Sequence, residues 1–214
     1  VGSGREYGAS AVGLALAKFA RVREALDPVL PKRSGLTVGE MTAYIGLLCT
    51  GKSDFDAIEN HRDDGFFAEF LGLSGVPAAA TLRTQLDTQA ENLLPLIGEL
   101  SVPLLQRAGA PVTPLACGLV ALDIDVFTQD NGKTKKEGVS RTYAGTDGYA
   151  PIAAYLGEEG WCLALELREG SHFSSRETEY TLERVLPRAQ ALTEAGILVR
   201  WDSGFHAAKL AFEI

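Results

Sequence analysis

Apolar positions along this chain follow two different periods, and the change comes near residue 115. Before it, they recur every three to four residues. Val12, Leu16, Phe19 and Val22 predict a helix over 9–26, ended by Pro28 and Pro31. Thr37-Val38-Gly39-Glu40 has the form of a capping box, and Met41, Tyr44, Ile45 and Leu48 continue it as one apolar face until Gly51. Short helices are predicted over 54–62 and 64–72, closed by the turn Gly72-Leu73-Ser74-Gly75. A longer helix follows, with Thr81 as its expected N-cap and an end near Leu94, and Pro95 and Pro103 predict breaks in a last helical stretch.

Beyond Pro111 and Pro114 the period shortens to two. Leu122, Ile124 and Val126 alternate with Ala121, Asp123, Asp125 and Phe127, which predicts a buried strand over 118–127. A polar loop runs from Thr128 to Gly138. Strands over 149–156 and 161–167 then flank Gly157-Glu158-Glu159-Gly160 as a hairpin. Tyr180, Leu182, Val185, Leu186 and Leu192 predict a helix over 175–193, with Pro187 as a possible kink and Gly196 as its cap. A short strand over 197–202 and a final helix over 206–213 complete the pattern. Strand, hairpin, helix, strand gives a mixed sheet covered by helices, in which the first and fourth strands lie side by side. The expected fold class is α/β, with a helical region over 1–115 and a sheet domain over 116–214.

Composition changes this picture little. Apolar residues make up 46% of the 214, charged residues 22%, and net charge is −8, which argues against a generally basic nucleic-acid binder. Cys49, Cys117 and Cys162 are widely spaced in apolar surroundings and read as buried free thiols of a reducing compartment. No apolar run reaches about 18 residues, so no membrane span is expected. The start of the chain has no charged-then-apolar leader pattern, so a cytoplasmic location is expected.

The candidate chemistry lies on the first strand. Side chains two apart on a strand share a face, roughly 7 Å apart, so Asp123 and Asp125 point the same way. Carboxylates on a buried strand are costly unless neutralised, and a divalent cation with oxygen ligands is the usual remedy. One Asp at a solvated strand end explains the same letters. Asp202, at the end of the fourth strand, could meet Asp125 or Asp123 and make half of a two-metal site for phosphoryl transfer.

These residues stand in text that resembles the DDE-type transposases of bacterial insertion sequences, in the branch called DDE domain group 1. The matching stretches are Leu122-Asp123-Ile124-Asp125-Val126, then 130–143 from Asp130-Asn131-Gly132-Lys133 to Arg141-Thr142-Tyr143. They continue as Asp147-Gly148-Tyr149-Ala150-Pro151-Ile152, 165–171 and Leu198-Val199-Arg200-Trp201-Asp202-Ser203-Gly204. In the helical half, Gly51-Lys52-Ser53-Asp54-Phe55 and Thr81-Leu82-Arg83 are also similar. The resemblance implies a ribonuclease-H-like domain acting on transposon-end and target DNA with Mg²⁺ (or Mn²⁺), as a homodimer on DNA. It implies catalytic and metal-binding roles for Asp125 and Asp202, with Asp123 as the rival for the first position. The family's third ligand is a Glu on a later helix, and the sequence ends at Ile214. The expectation is therefore a C-terminally truncated chain, either a fragment or a decayed reading frame, that as it stands holds metal weakly and cuts DNA poorly. The alternative function is an inactive competitor that binds DNA ends, and a nonspecific nuclease is a distant third.

Lys133, Lys135, Lys136 and Arg141 form a basic loop just after the metal strand, suited to a phosphate backbone, although a solvated charge run explains the same residues. Arg168 and Arg200, near strand ends, are similar candidates. Residues 64–94 could form a helix-turn-helix offering Arg83, Thr84, Gln85 and Gln89, but one Arg is a thin basic footprint and a plain bundle is favoured. His172 reads either as part of the active-site rim or as a surface loop residue, and His61 and His206 read as ordinary polar residues.

Overall fold

A computed structural model describes residues 38–205, together with residues 21 and 24. The helices expected over 9–26 and 206–213, and the cap at Thr37, lie outside the described residues. The chain divides into two compact units, Val1–Gly109 and Ala110–Ile214.

In the first unit the described elements are α1 (Val38–Cys49), a 3₁₀ helix (Phe55–His61), α2 (Gly65–Phe70) and α3 (Ala79–Ala108). Leu47, Ile58, Phe67, Leu71, Ala79 and Leu82 form one core, with Tyr44, Phe55 and Val76 packed against it. Val38, Met41 and Leu93 form another, flanked by Leu86, Leu96 and Leu104. This second cluster explains a correction. Pro95 and Pro103 do not break the helix but lie inside α3. A proline in a helix interior costs about 3 kcal/mol, yet Leu96 and Leu104 beyond the two prolines still find apolar partners, so packing overrides local preference. The N-cap is Ala78, not Thr81, and it makes no side-chain capping bond. Glu59 Oε1 instead accepts the Ala79 N–H at 2.7 Å from another element. The segment over 54–62 is a 3₁₀ helix with Asp54 as its cap.

The second unit is built on β1 (Val120–Val126). With β5 (Ile152–Leu156), β6 (Trp161–Glu166) and β7 (Ile197–Arg200) it forms a sheet of order β6-β5-β1-β7. β5 runs antiparallel to β1, and β7 parallel to it, so the first and last strands are neighbours as expected. Val120, Leu122, Ile124 and Val126 are all buried, which is why the alternation was readable. α4 (Thr178–Gln190) covers one face of this sheet: Thr181 and Arg184 bond Glu166 of β6, and Arg188 donates to the Leu163 carbonyl. Pro187 lies within α4, and the C-cap is Ala191 rather than Gly196.

The expected polar loop after β1 holds more structure than its composition suggests. β2 (Gln129–Asp130), β3 (Ser140–Arg141) and β4 (Asp147–Tyr149) form a small antiparallel sheet of order β2-β4-β3. The β1–β5 ladder ends at Val126 opposite Ile152, and pairing resumes at Gln129 opposite Tyr149. Phe127 N–H donates to the Pro151 carbonyl between them. One long hairpin therefore passes from the main sheet into the small one, and the small sheet extends the end of β1 that carries Asp125.

The three cysteines are free, but all are exposed rather than buried. Apolar neighbours in sequence did not translate into burial, because Cys49 lies at the end of α1 and Cys162 at the start of a strand.

Candidate site at the carboxyl ends of two parallel strands

Parallel pairing of β1 with β7 sets Ala121 opposite Leu198, Leu122 opposite Val199 and Asp123 opposite Arg200. Asp123 and Arg200 are the last pair of that ladder. Arg200 donates from Nε to Asp123 Oδ1 at 2.5 Å and from Nη2 to Asp123 Oδ2 at 2.6 Å. Both carboxylate oxygens are thereby occupied. The pair is about half exposed, and the hydrogen bond to Asp123 followed by its charge raises the Arg200 pKa above the usual guanidinium value.

Asp125 and Asp202 each lie two residues beyond that last pair, one on each chain segment. Both are exposed. Asp125 Oδ1 accepts the Val126 N–H at 2.8 Å, and Asp202 Oδ1 accepts the Gly204 N–H at 2.9 Å. Each keeps its second oxygen without a partner among the described residues. On the β5 side, Asp125 faces Ala153, whose methyl leaves room, whereas Asp123 faces the larger Tyr155. Two carboxylates with one uncommitted oxygen apiece are hard-oxygen donors of the kind Mg²⁺ or Mn²⁺ takes. Among the described residues, no third His, Cys, Asp or Glu joins them in a group that could hold a metal ion.

Gly204 closes the site on one side. A Cβ there would lie 2.9 Å from Ser174 Oγ and 3.0 Å from Asp202 Oδ1, so the absence of a side chain lets both approach the same point. Ser174 escaped the sequence reading, and no local pattern marks it. It arrives on the segment between β6 and α4, which Arg168 ties down.

Arg168 itself needs correcting as a candidate phosphate contact. It is buried, donating from Nε to the Ala150 carbonyl at 3.1 Å and from Nη1 to the Arg176 carbonyl at 2.8 Å. Burial holds its pKa below the usual guanidinium value, with the charges of Glu166 and Glu177 acting the other way. Its position just past a strand end suggested solvent, but the chain folds back over it. Gly170 fits the same enclosure: a Cβ there would run into the Ser140 and Gly148 carbonyls. His172 is also largely enclosed, with Nε2 3.8 Å from Glu169 and Nδ1 buried without a hydrogen-bond partner among the described residues.

The basic loop joins β2 to β3. Lys133, Lys135 and Lys136 are exposed and form no ion pair among the described residues, while Arg141 lies 3.4 Å from Asp147. In the helical unit, Arg83 is 2.9 Å from Asp56, 3.8 Å from Asp54 and stacked over Phe55. Gln89 is buried. Two of the four side chains offered for a groove-reading helix are therefore engaged or covered within their own unit. His61 stacks on Phe67, with ring centroids 4.4 Å apart.

Among the described residues, no helix is long and apolar enough to cross a membrane. Compared with known proteins, residues 41–212 match the family model described as transposase DDE domain group 1. No curated protein matches, and no solved structure matches.

Proposed function

We propose, from the chain's place in the transposase DDE domain group 1 family, to which it belongs, that it cuts and joins insertion-sequence ends by metal-dependent phosphoryl transfer. Membership brings transposition-related chemistry, DNA as the general partner and divalent metal as the family's usual cofactor. The finer reading rests on one observation, the parallel β1–β7 ladder that leaves Asp125 and Asp202 as the next residues of like position past its last pair.

In this reading the sheet unit is ribonuclease-H-like, and Asp125 and Asp202 are the residues that would hold Mg²⁺ or Mn²⁺. Such an ion, when bound, would supply activation of a water or 3′-hydroxyl and stabilisation of the leaving oxygen in an in-line displacement. The chain's own contribution is placement. Backbone bonds to Val126 and Gly204 fix the two carboxylates, so little side-chain freedom is lost when they act. Lys133, Lys135 and Lys136 take phosphates of the duplex, with no ion-pair partner among the described residues to displace first. Arg141 adds a contact if Asp147 releases it. The helical unit binds DNA ends or mediates assembly, and two protomers act on one pair of ends.

The test is Mg²⁺-dependent strand cleavage of insertion-sequence end DNA by the wild-type chain, Asp125→Asn and Asp202→Asn. Cleavage by the wild type alone supports the proposal. End binding without cleavage by any of the three assigns the second reading, a DNA-end-binding competitor. Unimpaired cleavage by either variant removes the two residues from the chemistry.

A further inference from the structure

The rows of charge at the β1–β7 edge are not equivalent. Asp123 and Arg200 stand directly opposite and cancel. Asp125 and Asp202 follow at the same interval on their two segments, and among the described residues no cation pairs with either. The spacing in sequence is the same on both sides: Asp-x-Asp at 123–125 and Arg-x-Asp at 200–202. On β1 the facing repeats every two residues, so Asp125 stands on the same face as the neutralised Asp123, while β7 ends at Arg200 and Asp202 follows just past its end.

We propose that the Asp123–Arg200 pair positions the metal carboxylates by separating charge: it withdraws Asp123 from the ligand set and holds the Arg200 cation off Asp125 and Asp202. This rests on the metal-site reading above. Both halves follow from the bidentate geometry. With each oxygen bonded to a guanidinium N–H and its charge matched by Arg200, Asp123 is a poorer metal donor than a carboxylate with an uncommitted oxygen. With two of its nitrogens bonded to Asp123, Arg200 is anchored. Freed, its long side chain could reach a carboxylate one strand position away and compete with a metal ion for it. A single ladder position thus decides which of the two β1 carboxylates, Asp123 or Asp125, stays open for the ion. Arg200 and Asp123 are positioning residues here, since in this reading they act through each other and neither is a ligand of the ion.

The two halves predict changes of opposite sign, which a merely structural pair would not give. The experiment measures Mn²⁺ affinity of the full chain by the loss of free-ion electron paramagnetic resonance signal, with thermal unfolding followed by circular dichroism. Asp123→Asn releases the cation and should weaken Mn²⁺ binding about threefold, the order expected for one unit charge acting through water across neighbouring strands. Arg200→Gln releases a carboxylate and should tighten binding by a similar factor. The double variant should return close to wild type. Asp123→Glu and Arg200→Lys keep the charges and should keep most of the wild-type affinity if either neutral variant fails to fold. Weakening in both single variants, in step with their thermal stability, overturns the inference while leaving the metal site standing. If Asp202→Asn binds Mn²⁺ as well as wild type, or the wild type binds none, the metal-site reading itself fails and this inference falls with it.

Discussion

In the helical unit, several charges are spent close to home. Arg83 bonds Asp56 and stacks over Phe55, Glu59 caps α3 through Ala79, and Asp64 accepts the Phe66 and Phe67 amides that open α2. In the sheet unit, the charges around the end of β1 divide differently. Asp123 and Arg200 are committed to each other, but Asp125, Asp202, Lys133, Lys135 and Lys136 carry no ion pair among the described residues. Acidic groups left uncompensated at one strand end, and basic groups left uncompensated on the adjoining loop, are what a cation and a polyanion would each complete. The contrast teaches that unpaired charge alone does not mark a ligand site, since Lys52, Asp63, Glu69, Asp87 and Glu91 of the helical unit are also exposed with no ion pair among the described residues. What sets the sheet unit apart is that its open acids follow a committed pair at the end of one ladder, beside a basic loop.

The largest effect should come from breaking the sheet-unit side of that contrast. Asp125→Asn should lower cleavage by about three orders of magnitude or more, because several kcal/mol of transition-state stabilisation leave with the ion. Its unfolding midpoint should stay at the wild-type value. A parallel loss of stability would mean that Asp125 serves the fold, and the contrast between the units would fail. Next comes the apolar framework. Phe67→Ala should cost about 3–5 kcal/mol in denaturant unfolding, since Phe67 is fully enclosed in the core of the helical unit. Leu122→Ala should cost about 2–5 kcal/mol for the same reason on β1.

Replacing Lys133, Lys135 and Lys136 together by Gln should leave stability unchanged and reduce the salt dependence of DNA binding. The slope of log affinity against log salt should fall by about 2 to 3, since each phosphate no longer neutralised removes about 0.9. An unchanged slope would return these lysines to a solvated loop. Smaller still, Asp64→Ala should cost about 1 kcal/mol through the missing cap. Arg83→Ala should cost less than about 1 kcal/mol, being an exposed pair, and should leave DNA affinity alone. A strong fall in DNA affinity on removing Arg83 would blur the division between the two units.

Much of the sheet was readable because β1 obeys a simple rule: one face is apolar and stays buried. The same rule put Asp123 and Asp125 on one face. It could not distinguish them, since both lie on that face, and what sets them apart is Arg200, 77 residues away in sequence, which bonds Asp123 and not Asp125. Arg168 and the cysteines failed for the opposite reason. Their surroundings are set by segments that return from elsewhere, so neighbours in sequence said nothing reliable about burial. Pro95 and Pro103 were misread as breaks because helix propensity is local and small beside the packing of Leu96 and Leu104. Ser174 had no signal at all.

The amino-acid order alone determined the helical and extended halves, the buried strand with its two acids, the basic loop and the family motifs. These depend on side-chain period and on residues close in the chain. Tertiary structure alone decided the β1–β7 register and, through it, which acid meets an arginine and which stays open. Register is a relation between distant segments, fixed by the packing of both strands into one sheet, and no short stretch of sequence contains it.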